Sequence, residues 1–254
     1  MIGLERINLE PLISFVLQRQ KEDGCFAPCP SLPSTVADTF YALGILSALG
    51  SLGPGLDLFS RLDKEKLLAF IKEHESIRKS LPLRIRFFLV EIGRYISEDK
   101  STYVDHCEDI SAAKMVSYEN YYYLGRLTSG KKTGIQVKEL DLSACTCRDV
   151  YYFVLSFPEI ARSRAGEIVD WLRECQNCDG GFGFFPGTTS YIEYCDYSLS
   201  ALAVLKKRPT HSAQVERYIR YCQTGAGGFS RSSKAAPFLE ASFHAVHALL
   251  STYG

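Results

Sequence analysis

The chain has no net charge, because its 29 Lys and Arg residues are matched by 29 Asp and Glu. A nucleic-acid-binding protein that relies on a general positive field needs an excess of basic residues, so the composition argues against this class. No apolar run approaches the roughly 18 residues needed to span a bilayer. Charges also interrupt the apolar residues of the segment MIGLERINLEPLISFVLQRQKEDG. Neither a transmembrane segment nor a secretory signal is expected.

The cysteines lack the pattern of a disulfide framework. There are nine, an odd number, and 46% of the residues are apolar, which is enough to build a core without crosslinks. Free thiols and a cytoplasmic location are therefore expected. Cys175 and Cys178 form a CxxC pair, but the only other close pair, Cys145 and Cys147, has poor zinc-site spacing. We do not expect a structural zinc ion there.

One sequence unit occurs three times. Each copy has an amphipathic run ending in Gln, a glycine-rich turn ending in Phe, a loop, and a second apolar run; the glutamines are Gln20, Gln176 and Gln223. The second runs align without gaps from Val36, Ile192 and Leu239. In the first and last of these runs the apolar residues recur at i, i+4, i+7 and i+10, which predicts helices rather than strands. Each unit is therefore predicted to be a helical hairpin that packs on its neighbours.

The spacing of the copies predicts their number. Gly180 and Gly227 are 47 residues apart, and Gly24 and Gly180 are 156 apart, which fits four steps of about 39. Further helices are predicted between the first two copies, within residues 63–75, 82–96, 112–127 and 148–157. We expect six hairpins in a single all-α domain over residues 1–254.

The stretch CQNCDGGFGFFPG, followed by SYIEYCDYSLSAL, resembles the repeat of protein prenyltransferase β subunits and of squalene and terpene cyclases. The likeness is strongest over residues 170–205 and clear over 15–50 and 215–253. It implies an α/α toroid (an α6-α6 barrel), with inner helices around an apolar cavity and outer helices enclosing them. It also implies isoprenoid chemistry on a prenyl diphosphate, with a separate α-subunit-like chain or a second copy as partner.

For the prenyltransferases the resemblance implies a zinc ion, held by an Asp-x-Cys pair and a histidine from the next inner helix. Glu193 and Cys195 have the spacing of that pair, and His244 is the candidate third ligand. The alternative for Cys195 is packing alone, because its aligned residues, Thr39 and Ser242, are also small.

The resemblance also implies sites for diphosphate and magnesium. Arg231 and Lys234 have the three-residue spacing of the family's diphosphate-binding pair, although they stand in the last copy. The nearest approach to a magnesium-binding acidic cluster is the segment DHCED, residues 105–109, with Asp105, Glu108 and Asp109. The alternative is a polar loop before a helix, which is favoured because acidic loops before helices are common. The Asp-x-Asp-Asp motif of squalene-type cyclases is absent.

A polar helix face in the last copy is predicted to line the cavity. Glu240, His244 and His247 follow at i, i+4 and i+7. With Tyr197 they are our candidate catalytic residues, and the candidate substrate-binding residues are Arg231, Lys234, Tyr41, Glu193 and Tyr122. Tyrosine rings suit an isoprenoid chain or a carbocation, although ordinary core packing explains some of them. On this basis His244→Phe is expected to leave the fold intact or firmer but to impair activity or ligand retention.

Three functions remain open at this point. The first is an enzyme acting on a prenyl diphosphate in a transferase reaction. The second is a divergent cyclase, and the third is a non-catalytic toroid that binds a lipid or a protein.

Overall fold

All regular elements in the described part of the chain are helical. The computed structural model describes residues 7–51, 58–97, 117–128, 139–232 and 234–253. These ranges contain the α-helices α1 Leu9–Leu17, α2 Val36–Gly50, α3 Lys64–Glu75, α4 Leu83–Ile96, α5 Tyr118–Leu127, α6 Cys147–Ser156, α7 Pro158–Ser163, α8 Ala165–Glu174, α9 Ile192–Val204, α10 Ser212–Tyr221 and α11 Leu239–Tyr253. Within them, extended pairing is limited to four isolated bridges. The predicted all-α class is confirmed.

The chain divides into two compact units. The first comprises Met1–Leu12, Ser117–Tyr122 and Gln136–Gly254, and in it α9 packs against both α6 and α11. The second comprises Ile13–Val116 and Tyr123–Ile135, and in it α2 and α3 pack against α4. The apolar helix faces predicted from the sequence are buried: Val36, Phe40, Leu43 and Leu46 on α2, and Leu239, Phe243, Val246 and Leu249 on α11.

Short polar side chains set the starts of several helices. The Thr35 hydroxyl accepts a hydrogen bond from the Asp38 amide at the start of α2, and the Asp63 carboxylate accepts one from the Lys66 amide at the start of α3. At α6, Thr146 and Asp149 form a reciprocal capping box. These contacts satisfy backbone N–H groups that have no partner within the helix.

The turn that follows the glutamine has the same geometry in all three copies. Each glutamine side chain donates to the carbonyl of a glycine four residues later, at 3.1 Å, 3.3 Å and 2.9 Å for Gln20, Gln176 and Gln223. The accepting glycines, Gly24, Gly180 and Gly227, have positive φ. Positive φ strains residues with a Cβ, which explains glycine at this position. Phe26, Phe182 and Phe229, which end the turns, are fully buried.

Two of these turns dock on the helix of another hairpin. The Gln176 side chain accepts from the backbone N–H of His211, directly before α10, at 3.0 Å. In the same way, Gln223 accepts from the backbone N–H of Asn8, directly before α1, at 2.9 Å. The last hairpin therefore contacts α1 as the α8–α9 hairpin contacts α10.

Candidate functional site

Five tyrosine rings lie together in the first unit, on α5, α6 and α9. We call them the tyrosine cluster: Tyr122, Tyr151, Tyr152, Tyr194 and Tyr197. Ring centroids are 5.0 Å apart for Tyr151 and Tyr152 and 5.2 Å apart for Tyr151 and Tyr197. Only Tyr152 is buried, and the other four rings are half-buried. Part of the aromatic surface of the cluster therefore remains exposed.

A buried histidine–carboxylate pair borders the tyrosine cluster. The Nδ1 atom of His244 lies 2.7 Å from Oδ2 of Asp196, and both residues are only 4% exposed. The Ser200 hydroxyl donates to the other Asp196 oxygen at 3.0 Å and lies 2.9 Å from the Ser251 hydroxyl. The His244 ring meets the Tyr197 ring edge-on, with centroids 5.1 Å apart. The hydrogen bond from His244 to Asp196 therefore holds the imidazole against the Tyr197 ring.

Burial decides the protonation of two neighbouring groups. Burial lowers the pKa of His247, and this effect is larger than the opposite effect of the nearby Asp196 carboxylate. The His247 imidazole is therefore neutral at neutral pH. Burial also raises the pKa of Tyr151 well above its ordinary value, and Tyr122 and Asp196 add to that effect. The Tyr151 phenol therefore stays protonated.

An acidic group lies beside Tyr194. The Arg231 guanidinium donates from Nε to Oε1 of Glu193 at 2.5 Å. Glu193 is 8% exposed, and its other oxygen, Oε2, is buried without a hydrogen-bond partner among the described residues. Burial lowers the pKa of Arg231, but Glu193 and then Glu240 raise it above its ordinary value. Arg231 is thus held by carboxylates.

A second arginine borders the cluster from α6. The Arg148 guanidinium pairs with the Glu119 carboxylate and lies 6.0 Å from the centre of the Tyr152 ring. Burial lowers the pKa of Arg148, and the hydrogen bond that Arg148 donates to Glu119 raises it above the ordinary value. Like Arg231, this cation is already matched by a carboxylate.

The structure brings some of the sequence-predicted residues together and separates others. His244 meets Tyr197, Glu193 meets Arg231, and Glu240 lies near enough to act on the Arg231 charge. Lys234 is exposed. Tyr41 belongs to the second unit, where its hydroxyl accepts from Arg84 at 2.6 Å. The predicted acidic cluster, Asp105, Glu108 and Asp109, lies outside the described residues.

Sequence reasoning missed Asp196, Arg148, Tyr151 and Tyr152. One signal was available for Asp196, because the gapless alignment places it opposite Phe40 and Phe243. A carboxylate where the other copies have a phenylalanine needs a polar partner, and His244 provides it.

The slot that holds Cys195 has a structural explanation. The Phe26 amide donates to the Thr39 hydroxyl at 3.0 Å, and the Phe229 amide donates to the Ser242 hydroxyl at 2.9 Å. The aligned Cys195 is fully buried and accepts from the Phe182 amide in the same way. Burial raises the pKa of Cys195 well above its ordinary value, so the group is a thiol.

The zinc donor set predicted from the resemblance does not fit the described residues. Cys195 holds the Phe182 amide, Glu193 pairs with Arg231, and His244 pairs with Asp196. Across the described ranges, no group of three His, Cys, Asp or Glu side chains is placed to hold a metal ion.

The CxxC cysteines also have separate environments. Cys175 is fully buried and its thiol hydrogen-bonds with that of Cys147, whereas Cys178 is exposed. The Cys147 thiol in turn donates to the Gly183 carbonyl at 3.2 Å. The described cysteines are all free thiols.

Substitutions of Cys195 distinguish packing from metal binding. We expect Cys195→Ser to retain stability, because a hydroxyl still accepts from the Phe182 amide. Cys195→Val should lose about 1–2 kcal/mol of unfolding free energy, because a buried N–H loses its acceptor. Urea denaturation measures both, with Cys178→Val as the exposed control. Bound zinc in the native protein that disappears in Cys195→Ser would contradict the packing explanation.

These observations define the structural class of the protein. In its described residues the chain is an all-helical repeat protein in which three hairpins share one glycine turn and the first unit carries the tyrosine cluster. A family model of the prenyltransferase alpha-alpha toroid domain matches residues 3–83, 105–195 and 187–253. The chain therefore belongs to this family, and the predicted toroid fold is confirmed. A search of curated protein sequences finds no significant match.

The sequence did not predict a transmembrane segment. None of the helices in the described ranges is both long and apolar enough to cross a bilayer.

Proposed function

We propose that the protein handles an isoprenoid, whose chain binds against the tyrosine cluster. The observation that carries this proposal is the set of four half-buried tyrosine rings within one unit. Flat aromatic faces contact an apolar chain over a large area and attract positive charge that develops on it. Membership of the prenyltransferase toroid family supports the same substrate class.

The His244–Asp196 pair supports an enzyme. A carboxylate that orients an imidazole is an arrangement used for general acid–base catalysis, and here it contacts Tyr197 at the edge of the cluster. We propose that His244 exchanges a proton with the bound isoprenoid. A prenyl diphosphate is the substrate that the family resemblance implies, and a separate α-subunit-like chain or a second copy is the partner it implies.

A second candidate function is a non-catalytic isoprenoid-binding protein. One specific observation favours it: the residues predicted for zinc and diphosphate, apart from the exposed Lys234, are engaged with other side chains or with backbone. Under this alternative, substitutions in the His244–Asp196 pair alter the stability of the protein, and the native protein has no catalytic activity.

Substitution of Tyr197 tests the proposed site. Tyr197→Ala should weaken binding of a radiolabelled isoprenoid alcohol by about tenfold, because the chain loses one aromatic contact. Equilibrium dialysis measures the dissociation constant. Tyr221→Ala is the matched control, because Tyr221 is in the same unit but 68% exposed. Equal binding by both variants and the native protein, or no binding by any, would reject the tyrosine cluster as the site.

A further inference from the structure

The Glu193 carboxylate has one oxygen that lacks a donor. Oε1 receives the Arg231 guanidinium, whereas Oε2 is buried and has no hydrogen-bond partner among the described residues. The residue is 8% exposed, so bulk water reaches it poorly. A buried carboxylate oxygen without a donor is costly. The position is therefore suited to a ligand group that donates hydrogen bonds.

The charges around the tyrosine cluster favour a cation over an anion. Each of its two arginines, Arg148 and Arg231, pairs with a carboxylate. Two further carboxylates, Glu240 and Asp196, are added by α11 and α9. Both arginines that border the cluster among the described residues are therefore already paired with carboxylates, whereas Oε2 of Glu193 is still available to a donor.

These features disfavour a diphosphate headgroup. A diphosphate carries several negative charges and only acceptor oxygens, so it can neither donate to Oε2 of Glu193 nor gain from the surrounding carboxylates. A protonated amine carries donors and a positive charge, and the neighbouring tyrosine faces attract that charge as well. Arg231 illustrates the difference. The sequence pattern predicts that it binds diphosphate, whereas in the structure it forms an ion pair with Glu193.

We propose that Glu193 is the headgroup site for an apolar chain that ends in a protonated amine, with Tyr194 beside it. This inference rests on the proposed function, since it assumes that the chain of the ligand lies on the tyrosine cluster. It names a substrate class, an isoprenoid-like amine, that differs from the diphosphate implied by the family resemblance.

Three ligands with the same tail separate the possibilities: farnesylamine, farnesol and farnesyl diphosphate. Isothermal titration calorimetry below their micelle concentrations gives each dissociation constant. We expect the amine to bind at least about tenfold tighter than the diphosphate, with the alcohol between them. Tightest binding by the diphosphate would overturn the headgroup assignment while leaving the isoprenoid proposal standing. Binding by none of the three would overturn both.

Two variants of opposite sign test Glu193 itself. Glu193→Gln should weaken amine binding by about tenfold and change alcohol binding less than about threefold, because it removes a charge and keeps the shape. Arg231→Gln should strengthen amine binding by about threefold, because it frees the whole carboxylate charge. The control is Glu159→Gln, an exposed carboxylate on α7 in the same unit.

Circular dichroism melting confirms that each variant is folded. If Glu193→Gln unfolds, Arg231→Gln still tests the proposal. Arg231 is half exposed, so this variant is expected to fold, and the proposal requires it to bind the amine more tightly. An unchanged preference for the amine in a folded Glu193→Gln variant, or weaker amine binding by Arg231→Gln, would overturn the proposal.

Discussion

Gly180→Ala is expected to lower the unfolding free energy by about 4 kcal/mol, the sum of backbone strain and an overpacked contact. Gly180 has φ +92°, and a Cβ at this residue would lie 2.2 Å from the carbonyl carbon of Gln214. Backbone atoms of α10 cannot move aside without disturbing the hydrogen bond between Gln176 and His211. For a chain of this length the melting temperature should fall by about 10 °C.

Gly187→Ala separates the two contributions. Gly187 also has positive φ, +81°, but no atom lies within 4 Å of the position that an alanine methyl group would occupy. Its substitution should therefore lose only about 1 kcal/mol, from backbone strain alone. Urea denaturation of both variants gives the difference. Equal losses would mean that the close approach of the turn to α10 does not contribute.

His244→Phe is expected to lower the unfolding free energy by about 3 kcal/mol, because it leaves the buried Asp196 carboxylate without its imidazole partner. The sequence favoured the opposite result, since the aligned residues Tyr41 and Tyr197 are aromatic. The contact at 2.7 Å to Asp196 reverses that expectation. Chemical denaturation followed by circular dichroism measures the loss.

A double variant identifies the cause. Replacing both partners, His244→Phe with Asp196→Leu, should recover most of the stability, because no buried charge then remains unpaired. His211→Phe is the control, because the His211 side chain is exposed. The substitution keeps the backbone N–H of this residue, which donates a hydrogen bond to Gln176. Full stability of the single His244→Phe variant would show that Asp196 does not depend on the imidazole.

The repeated turns could be predicted from the sequence, because their chemistry is local. A glutamine, a glycine and a phenylalanine within seven residues determine the turn, and the same pattern in three places gives the same geometry. The small residue aligned at Thr39, Cys195 and Ser242 was also recognised as a candidate for packing. Its hydrogen bond to the phenylalanine amide, 13 residues away for Thr39 and Phe26, became visible only in the folded chain.

The candidate site was less predictable, because its contacts join neighbouring repeats. His244 meets Asp196 across 48 residues, and Arg231 meets Glu193 across 38. Spacing within one helix shows which side chains share a face, as for Glu240 and His244, but it does not show which partners the next helix presents. The sequence therefore could not show that Arg231, which it predicts as a diphosphate-binding residue, pairs with the Glu193 carboxylate.

The hydrogen bond between Gln223 and Asn8 has a consequence for how the protein folds. It joins residues 215 positions apart, and bringing such distant segments together costs about 5 kcal/mol of chain entropy. During synthesis the contact cannot form until residues up to Gln223 have emerged from the ribosome. The residue before α1 therefore gains this hydrogen bond only after the start of the last hairpin is present. Contacts of such high contact order slow folding.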